Sequence, residues 1–317
     1  MSSAALLNRI SFISLCPLME VSTITYKVCP VCSSESIRKQ MEAVDHLVSG
    51  KSFEIWECSK CNLRFTQQVP GPEQIGKYYK SEQYVSHSET QKGIINRLYH
   101  YVRSLTLADK RRLILSTTQL DKGGLLDIGS GTGAFVHYMK TNGWSITGLE
   151  PDESARLNAR QLHQVDLDTP EKFFSFPDES FDAITMWHVL EHVHTLHEYM
   201  DQLKKLIRPT GKIFIAVPNY LSFDASFYKN NWAAYDVPRH LYHFSESSMF
   251  ELLERHGLKL SATRPMWYDS FYISMLSEKY ISGKGNLARS IGIGFLSNLM
   301  AFVDKERCSS LTYVITK

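Results

Sequence analysis

The sequence predicts a doubly wound α/β fold, a parallel sheet covered by helices on both faces, with a small metal-held module in front of it. Three observations carry that prediction. Apolar runs at residues 144–149, 181–187 and 212–217 alternate with helical stretches, and such alternation builds a parallel sheet. A further apolar run containing Asp127 opens into Gly129, Gly131 and Gly133, the pattern of a buried strand, a tight turn and a helix start. Ahead of all of these stand two C-x-x-C knuckles, Cys29/Cys32 and Cys58/Cys61.

Along the chain, residues 1–26 read as a disordered tail. The mildly apolar stretch there is broken by Asn8 and Arg9. It lacks the leading charge and small-residue cleavage site of a signal peptide, and residues 1–18 read as a tail or an over-extended start. Residues 27–70 read as a zinc ribbon. Two knuckles can supply four thiolates at tetrahedral geometry to one Zn²⁺, and a site with four sulfur ligands is structural because no position stays open. Disulfides are the rival reading, but nothing in the sequence indicates secretion. Cys16 and Cys308 fall outside the pattern and read as free thiols. Residues 71–115, opened by the Pro70-Gly-Pro72 breaker, read as a linker and N-terminal helices. Tyr78, Tyr79, Tyr84 and His87 there are either part of a cap over the core or surface aromatics packed on the ribbon, and the basic residues, Lys110 included, read as a solvated helix face.

The domain proper is expected at residues 116–317. Its glycine loop is acid-x-G-x-G-x-G rather than the dinucleotide G-x-G-x-x-G, and Glu150 closes the following strand, where an acid suits the two hydroxyls of a ribose. Asp127 beside the loop would repel a phosphate and attract a cation. S-adenosylmethionine carries a sulfonium and an ammonium and no phosphate. In the glycine loop and the Trp187-His-Val-Leu-Glu-His-Val193 segment, residues 110–317 resemble the class I S-adenosylmethionine-dependent methyltransferases. The resemblance implies a Rossmann-like seven-stranded sheet whose last strand is antiparallel. It also implies a cofactor site formed by Asp127, Gly129, Ser130, Gly131, Gly133, Glu150, Trp187 and His188. The third strand, near residues 162–167, is poorly marked, and either Asp166 or Asp168 is the family's acid at the adenine.

If a helix begins at His188, then His188, Glu191 and His192 fall at i, i+3 and i+4 and share one face. Similar small-molecule methyltransferases line the cofactor and substrate clefts with this segment. In small-RNA 2'-O-methyltransferases and some quinone-ring O-methyltransferases, matching positions hold a divalent ion, which here would fall to Glu191, His192 and His240. Residues 219–244 are dense in aromatics and form the expected substrate lid. Within them Arg239-His-Leu-Tyr-His-Phe-Ser245 resembles a segment of zinc-ribbon sugar C-methyltransferases, with Arg239 in place of an acid and His243 in place of a tyrosine. His240 is the first choice of base, since an imidazole titrates near neutrality; packing under the next helix is the rival role for His240 and His243. Glu191 and His192 complete the catalytic candidates.

A capped helix at residues 245–256 and strands at 258–263 and 311–316 finish the domain, with a helical insertion at 266–308. The apolar surface of that insertion has three readings: core packing, the contact of a homodimer, or a greasy acceptor or membrane surface. Lys plus Arg number 35 against 33 for Asp plus Glu, which gives no electrostatic reason to propose nucleic acid as a partner. No apolar run reaches bilayer-spanning length, so a soluble, cytoplasmic enzyme is expected. It would transfer a methyl group from S-adenosylmethionine to a small-molecule acceptor by in-line displacement. The alternatives are a zinc-ribbon RNA methyltransferase or RNA-binding protein, and a non-catalytic scaffold.

Overall fold

The computed structural model describes residues 23–79 and 94–317. The readings of the N-terminal tail up to residue 22, of Cys16, and of Tyr84 and His87 lie outside the described residues.

The ribbon comes first. Strand β1 (Thr23–Ile24) pairs with β5 (Val69–Pro70), and between them lie β2 (Ile37–Val44), β3 (Ser52–Cys58) and β4 (Arg64–Thr66). The β2–β3 hairpin is antiparallel, and β4 folds back on β3. Val31, Ile55, Leu63 and Phe65 are fully buried. They do not form a separate interior, because Val31, Leu63 and Phe65 belong to one apolar cluster with Leu126, Ile184 and Leu253.

The main sheet contains β6 (Gly124–Ile128), β7 (Ser145–Leu149), β8 (Phe181–Trp187) and β9 (Ile207–Pro218), all parallel. After a short β10 (Tyr242–His243) in residues 219–244, β11 (Lys259–Pro265) and β12 (Ser310–Thr316) complete it in the order β11-β12-β9-β8-β6-β7. Strand β12 runs antiparallel to both its neighbours. Residues 213–217 of β9 are all buried, the unbroken apolar run of a strand covered on both faces. This strand starts five residues before the expected position, at Ile207, and takes the Pro209-Thr-Gly211 turn into itself as an irregularity opposite β8.

Six of the seven expected positions in the sheet are strands among the described residues. The third is a single parallel bridge between Leu149 and Asp168. Pro170, which has no amide to donate, then begins a short 3₁₀ turn, so the segment leaves the sheet edge before a strand can form.

The helices are α1 (Pro72–Ile75), α2 (Ile94–Thr118), α3 (Ala134–Thr141), α4 (Glu153–His163), α5 (Leu196–Leu206), α6 (Phe223–Tyr228), α7 (Glu246–Arg255), α8 (Asp269–Ser282) and α9 (Leu287–Val303). Local chemistry sets their ends. Asp152 accepts from the Ala155 amide to start α4, and Ser245 forms a capping box with Ser248 to start α7.

Residues 219–244 join the two sheets. Strand β10 pairs with β4 of the ribbon, Tyr242 opposite Phe65 and His243 opposite Arg64, so the ribbon sheet reads β10-β4-β3-β2. Most aromatics of this segment face inward: Tyr228, Trp232 and Tyr235 pack with Ala43 and Ile55 of the ribbon and with Ile273 of α8 and Ile293 of α9. The segment is a wedge between ribbon and helical insertion.

Candidate active site and metal centre

Strand β6 delivers the glycine loop to the carboxyl edge of the sheet, where ligands of open α/β sheets bind. Gly129, Gly131 and Gly133 all take positive φ, at 75°, 53° and 76°. At Gly129 a Cβ would lie 2.3 Å from the Val189 side chain, and at Gly133 it would lie 2.8 Å from both Ala159 and Val165, whereas at Gly131 it would meet nothing within 4 Å. The loop is therefore pressed down at its two ends and open at its middle. Glu150, at the end of β7, is pinned at that open rim. The Gly131 amide donates to Glu150 Oε2 (2.7 Å) and the Asp152 amide to Oε1 (3.0 Å). Ser130 donates its hydroxyl to the Asp127 carbonyl.

Asp127 is 1% exposed and accepts from Thr185 Oγ1 at 2.6 Å. Burial pushes its carboxyl up to about 6, against the opposing pull of Thr185, Ser130 and the Lys110 ammonium. Lys110 reaches in from α2 and lies 4.3 Å above the Trp187 ring, while Arg103 of the same helix bonds Thr132. An open backbone cradle, an anchored acid for two hydroxyls, and cations for a carboxylate fit S-adenosylmethionine. Of the two candidate acids after β7, Asp168 lies beside Glu150, whose amide donates to the Asp168 carbonyl. Asp166 points outward to Arg160.

No helix starts at His188. That residue takes φ +58°, a 3₁₀ turn spans Leu190–His192, and α5 begins only at Leu196. The expected common face is therefore split. His188 turns to Asp269 (Nε2 to Oδ2, 2.9 Å) and stands 3.5 Å from Glu191 Oε1. His192 turns the other way, its Nδ1 3.0 Å from the Tyr79 hydroxyl and 3.0 Å from the Arg239 carbonyl. Burial alone would lower the pKa of His188, but hydrogen bonding and charge from Asp269, with the nearby Glu191 carboxylate adding to them, outweigh it and raise it to about 10. Stability from this pair is complete below the ordinary imidazole value of 6.5 and is lost as pH rises through about 10. Thermal midpoints of the wild type should accordingly fall across that window, and those of Asp269→Asn should stay nearly flat; parallel curves would sink the assignment.

Glu191, His192 and His240 present ligand atoms within 4.8 Å of one another. Glu191 is 0% exposed, and neither of its oxygens accepts a hydrogen bond; the His188 contact is an ion pair only. His240 hydrogen-bonds the Ala234 carbonyl through Nδ1 (2.8 Å), which requires the proton on Nδ1 and leaves the lone pair on Nε2. Burial, then the neighbouring His192 and His243, hold it well below the usual imidazole range, so it is neutral at pH 7. His243 lies apart from this group: its Nε2 meets Thr66 Oγ1 at 3.1 Å in the ribbon seam, and burial pushes it down to about 3. Arg239 is buried against Asp236 and Asp45.

Cys29, Cys32, Cys58 and Cys61 are all buried and bring their Sγ atoms within 4.8 Å of one another. The Cys29–Cys61 and Cys32–Cys58 contacts are each 3.5 Å. A tetrahedral zinc with Zn–S bonds of about 2.3 Å has sulfur–sulfur edges of about 3.8 Å, so the four thiols fit Zn²⁺.

Two site residues escape a reading of the sequence. Lys110 reads as solvated, yet it shares an inward stripe with Leu107 and Ile114, at i−3 and i+4, and that spacing is the signal that places it inside. Asp269, at the start of α8, has no local signal, because its partner His188 is 81 residues away.

Sheet order, glycine loop and the acid closing the second strand define a class I S-adenosylmethionine-dependent methyltransferase core, and the buried four-cysteine group adds an N-terminal zinc ribbon. Just over half of the chain, residues 99–263, matches the family described as "Methyltransferase domain", and the chain belongs to that family. It is 27% identical over 120 residues to a demethylmenaquinone methyltransferase of Tropheryma whipplei, covering 36% of this chain and 50% of the relative. It is 31% identical over 102 residues to a ubiquinone biosynthesis O-methyltransferase of Klebsiella pneumoniae, covering 30% of this chain and 42% of the relative. The chain thus spans half or less of these curated relatives' length. Among solved structures, an S-adenosylmethionine-dependent methyltransferase from Mesorhizobium loti superposes with a TM-score of 0.46 at 14% identity, covering 67% of this chain and 98% of that one.

Proposed function

We propose that the protein transfers a methyl group from S-adenosylmethionine to an ionisable hydroxyl of a small-molecule acceptor, an O-methyl transfer such as the ubiquinone biosynthesis O-methyltransferase relative is named for. The carrying observation is the group formed by Glu191 and His192, on the turn that follows β8, and His240, brought to them by residues 219–244, beside the strand that bears the glycine loop. When bound, S-adenosylmethionine supplies an electrophilic methyl on a sulfonium. Glu150 would hold the ribose hydroxyls, and Lys110 and Arg103 the carboxylate. His240 Nε2, neutral and with its other nitrogen committed, is the atom suited to take the acceptor proton. The imidazolium of His188, kept charged by Asp269 and Glu191, favours an acceptor that develops negative charge.

Isothermal titration with S-adenosylmethionine and its demethylated product, with NAD as control, tests the cofactor. Micromolar binding of the first two alone supports the reading, and no binding to folded protein overturns it. In the same assay Glu150→Ala should weaken the cofactor by about 1.5–3 kcal/mol, the scale of lost charged hydrogen bonds; unchanged affinity would refute the ribose role.

A second reading, favoured by the unpartnered Glu191 Oε2, has Glu191, His192 and His240 hold a divalent ion that would polarise the acceptor oxygen. Metal content separates the two. One zinc per chain is accounted for by the cysteines, and a second bound ion, lost in His240→Ala, would support the metal reading.

A further inference from the structure

The α8–α9 hairpin is packed inside out. In water an amphipathic helix turns its large apolar side chains inward. Here the buried stripe of α9 is mostly small, Ser290, Gly294, Ser297 and Ala301, and the buried residues of α8 include Ser270, Ser274 and Ser277. The approach is close enough that a Cβ on Gly294 would lie 3.0 Å from the Phe271 Cα. Leu287, Ile291, Phe295, Leu299, Phe302 and Val303 form the opposite stripe, with exposures from 50% to 85%. Small residues in the seam and bulky apolar ones outside are the arrangement of helices whose outer surroundings are lipid.

Charge narrows the occupant. From Glu278 to Val303 the one acid is the buried Glu278, which pairs with Arg289 (3.2 Å), and the exposed charges are Lys279, Lys284 and Arg289. A second copy laid face to face would bring cations against cations, whereas an anionic headgroup layer complements them. Among the described residues no helix is long and apolar enough to cross a membrane. A helix of 17 residues with one apolar stripe suits lying in the interface plane.

We propose that the outer face of the α8–α9 hairpin docks on an anionic lipid bilayer, with α9 lying flat in its surface. Flotation of the full chain with vesicles of phosphatidylglycerol and phosphatidylcholine in equal parts, and of phosphatidylcholine alone, tests this. The protein should float with the anionic vesicles. Replacing Phe302 and Val303 with serine should reduce the bound fraction at least about tenfold, and S-adenosylmethionine affinity should not change. At 82% and 85% exposure these two side chains carry little of the folded state. A wild type that stays with neither vesicle overturns the proposal, and equal flotation with both overturns its anionic character. A dimer in sedimentation that the double variant dissociates, without vesicle binding, would make the face a subunit interface instead.

Discussion

Cys58→Ser should abolish methyl transfer as well as metal binding. The sequence suggests a ribbon that could loosen while the core survives, but the structure ties the two together. The Thr66 amide donates to the Leu241 carbonyl, and the Leu241 amide donates to the Glu191 carbonyl, so one run of backbone bonds leads from the ribbon to Glu191. Thr66 Oγ1 also donates to the carbonyl of His240 (2.7 Å). Structural zinc contributes roughly 10–16 kcal/mol of apparent binding free energy in small zinc domains, comparable to the whole stability of a typical protein. Losing it should release β4 from β10, and displacements of about 1 Å in reacting groups cost on the order of 100-fold in rate. The glycine loop and Glu150 take no bonds from the ribbon, so S-adenosylmethionine affinity should stay within about threefold, under roughly 0.7 kcal/mol. Zinc content, turnover and titration calorimetry on the same sample decide the matter; zinc loss with full turnover would make the ribbon an independent appendage.

The second large effect is expected at Glu191→Gln. The amide keeps the shape and removes the charge, taking away one of the two acids that hold His188 protonated. Turnover should drop by about 10²–10³-fold, the range of a lost charge-stabilising group, with cofactor affinity unchanged because Glu191 is not part of the glycine loop. The pH–rate profile should also change shape, since His188 would lose its cationic form at a lower pH. An unaltered profile with full turnover would remove Glu191 from the chemistry.

What could be read in the sequence was written locally. Strand β8 has the same bounds, Phe181–Trp187, in sequence and structure, because seven residues between turn signals suffice to mark it. The glycine loop and the cysteine knuckles are equally self-contained, each needing only its own spacing. The bond of His188 to Asp269 and the place of His243 in the ribbon seam depend on segments that meet only in the folded chain. The third strand shows a related limit: a weakly apolar stretch can be held by one bridge, and periodicity does not separate that from a strand.

The pairing of β4 with β10 also bears on how the chain is made. Thr66 and His243 touch across 177 residues of sequence. At about 5–20 residues per second, a ribosome takes roughly nine to thirty-five seconds to cover that distance. Throughout that wait the nascent hairpin can capture its metal, yet the outer edge of β4 has no native strand to meet. An open edge is a template for foreign strands, so early zinc loading cannot by itself protect a growing chain, and the hazard ends only when the segment bearing β10 leaves the exit tunnel.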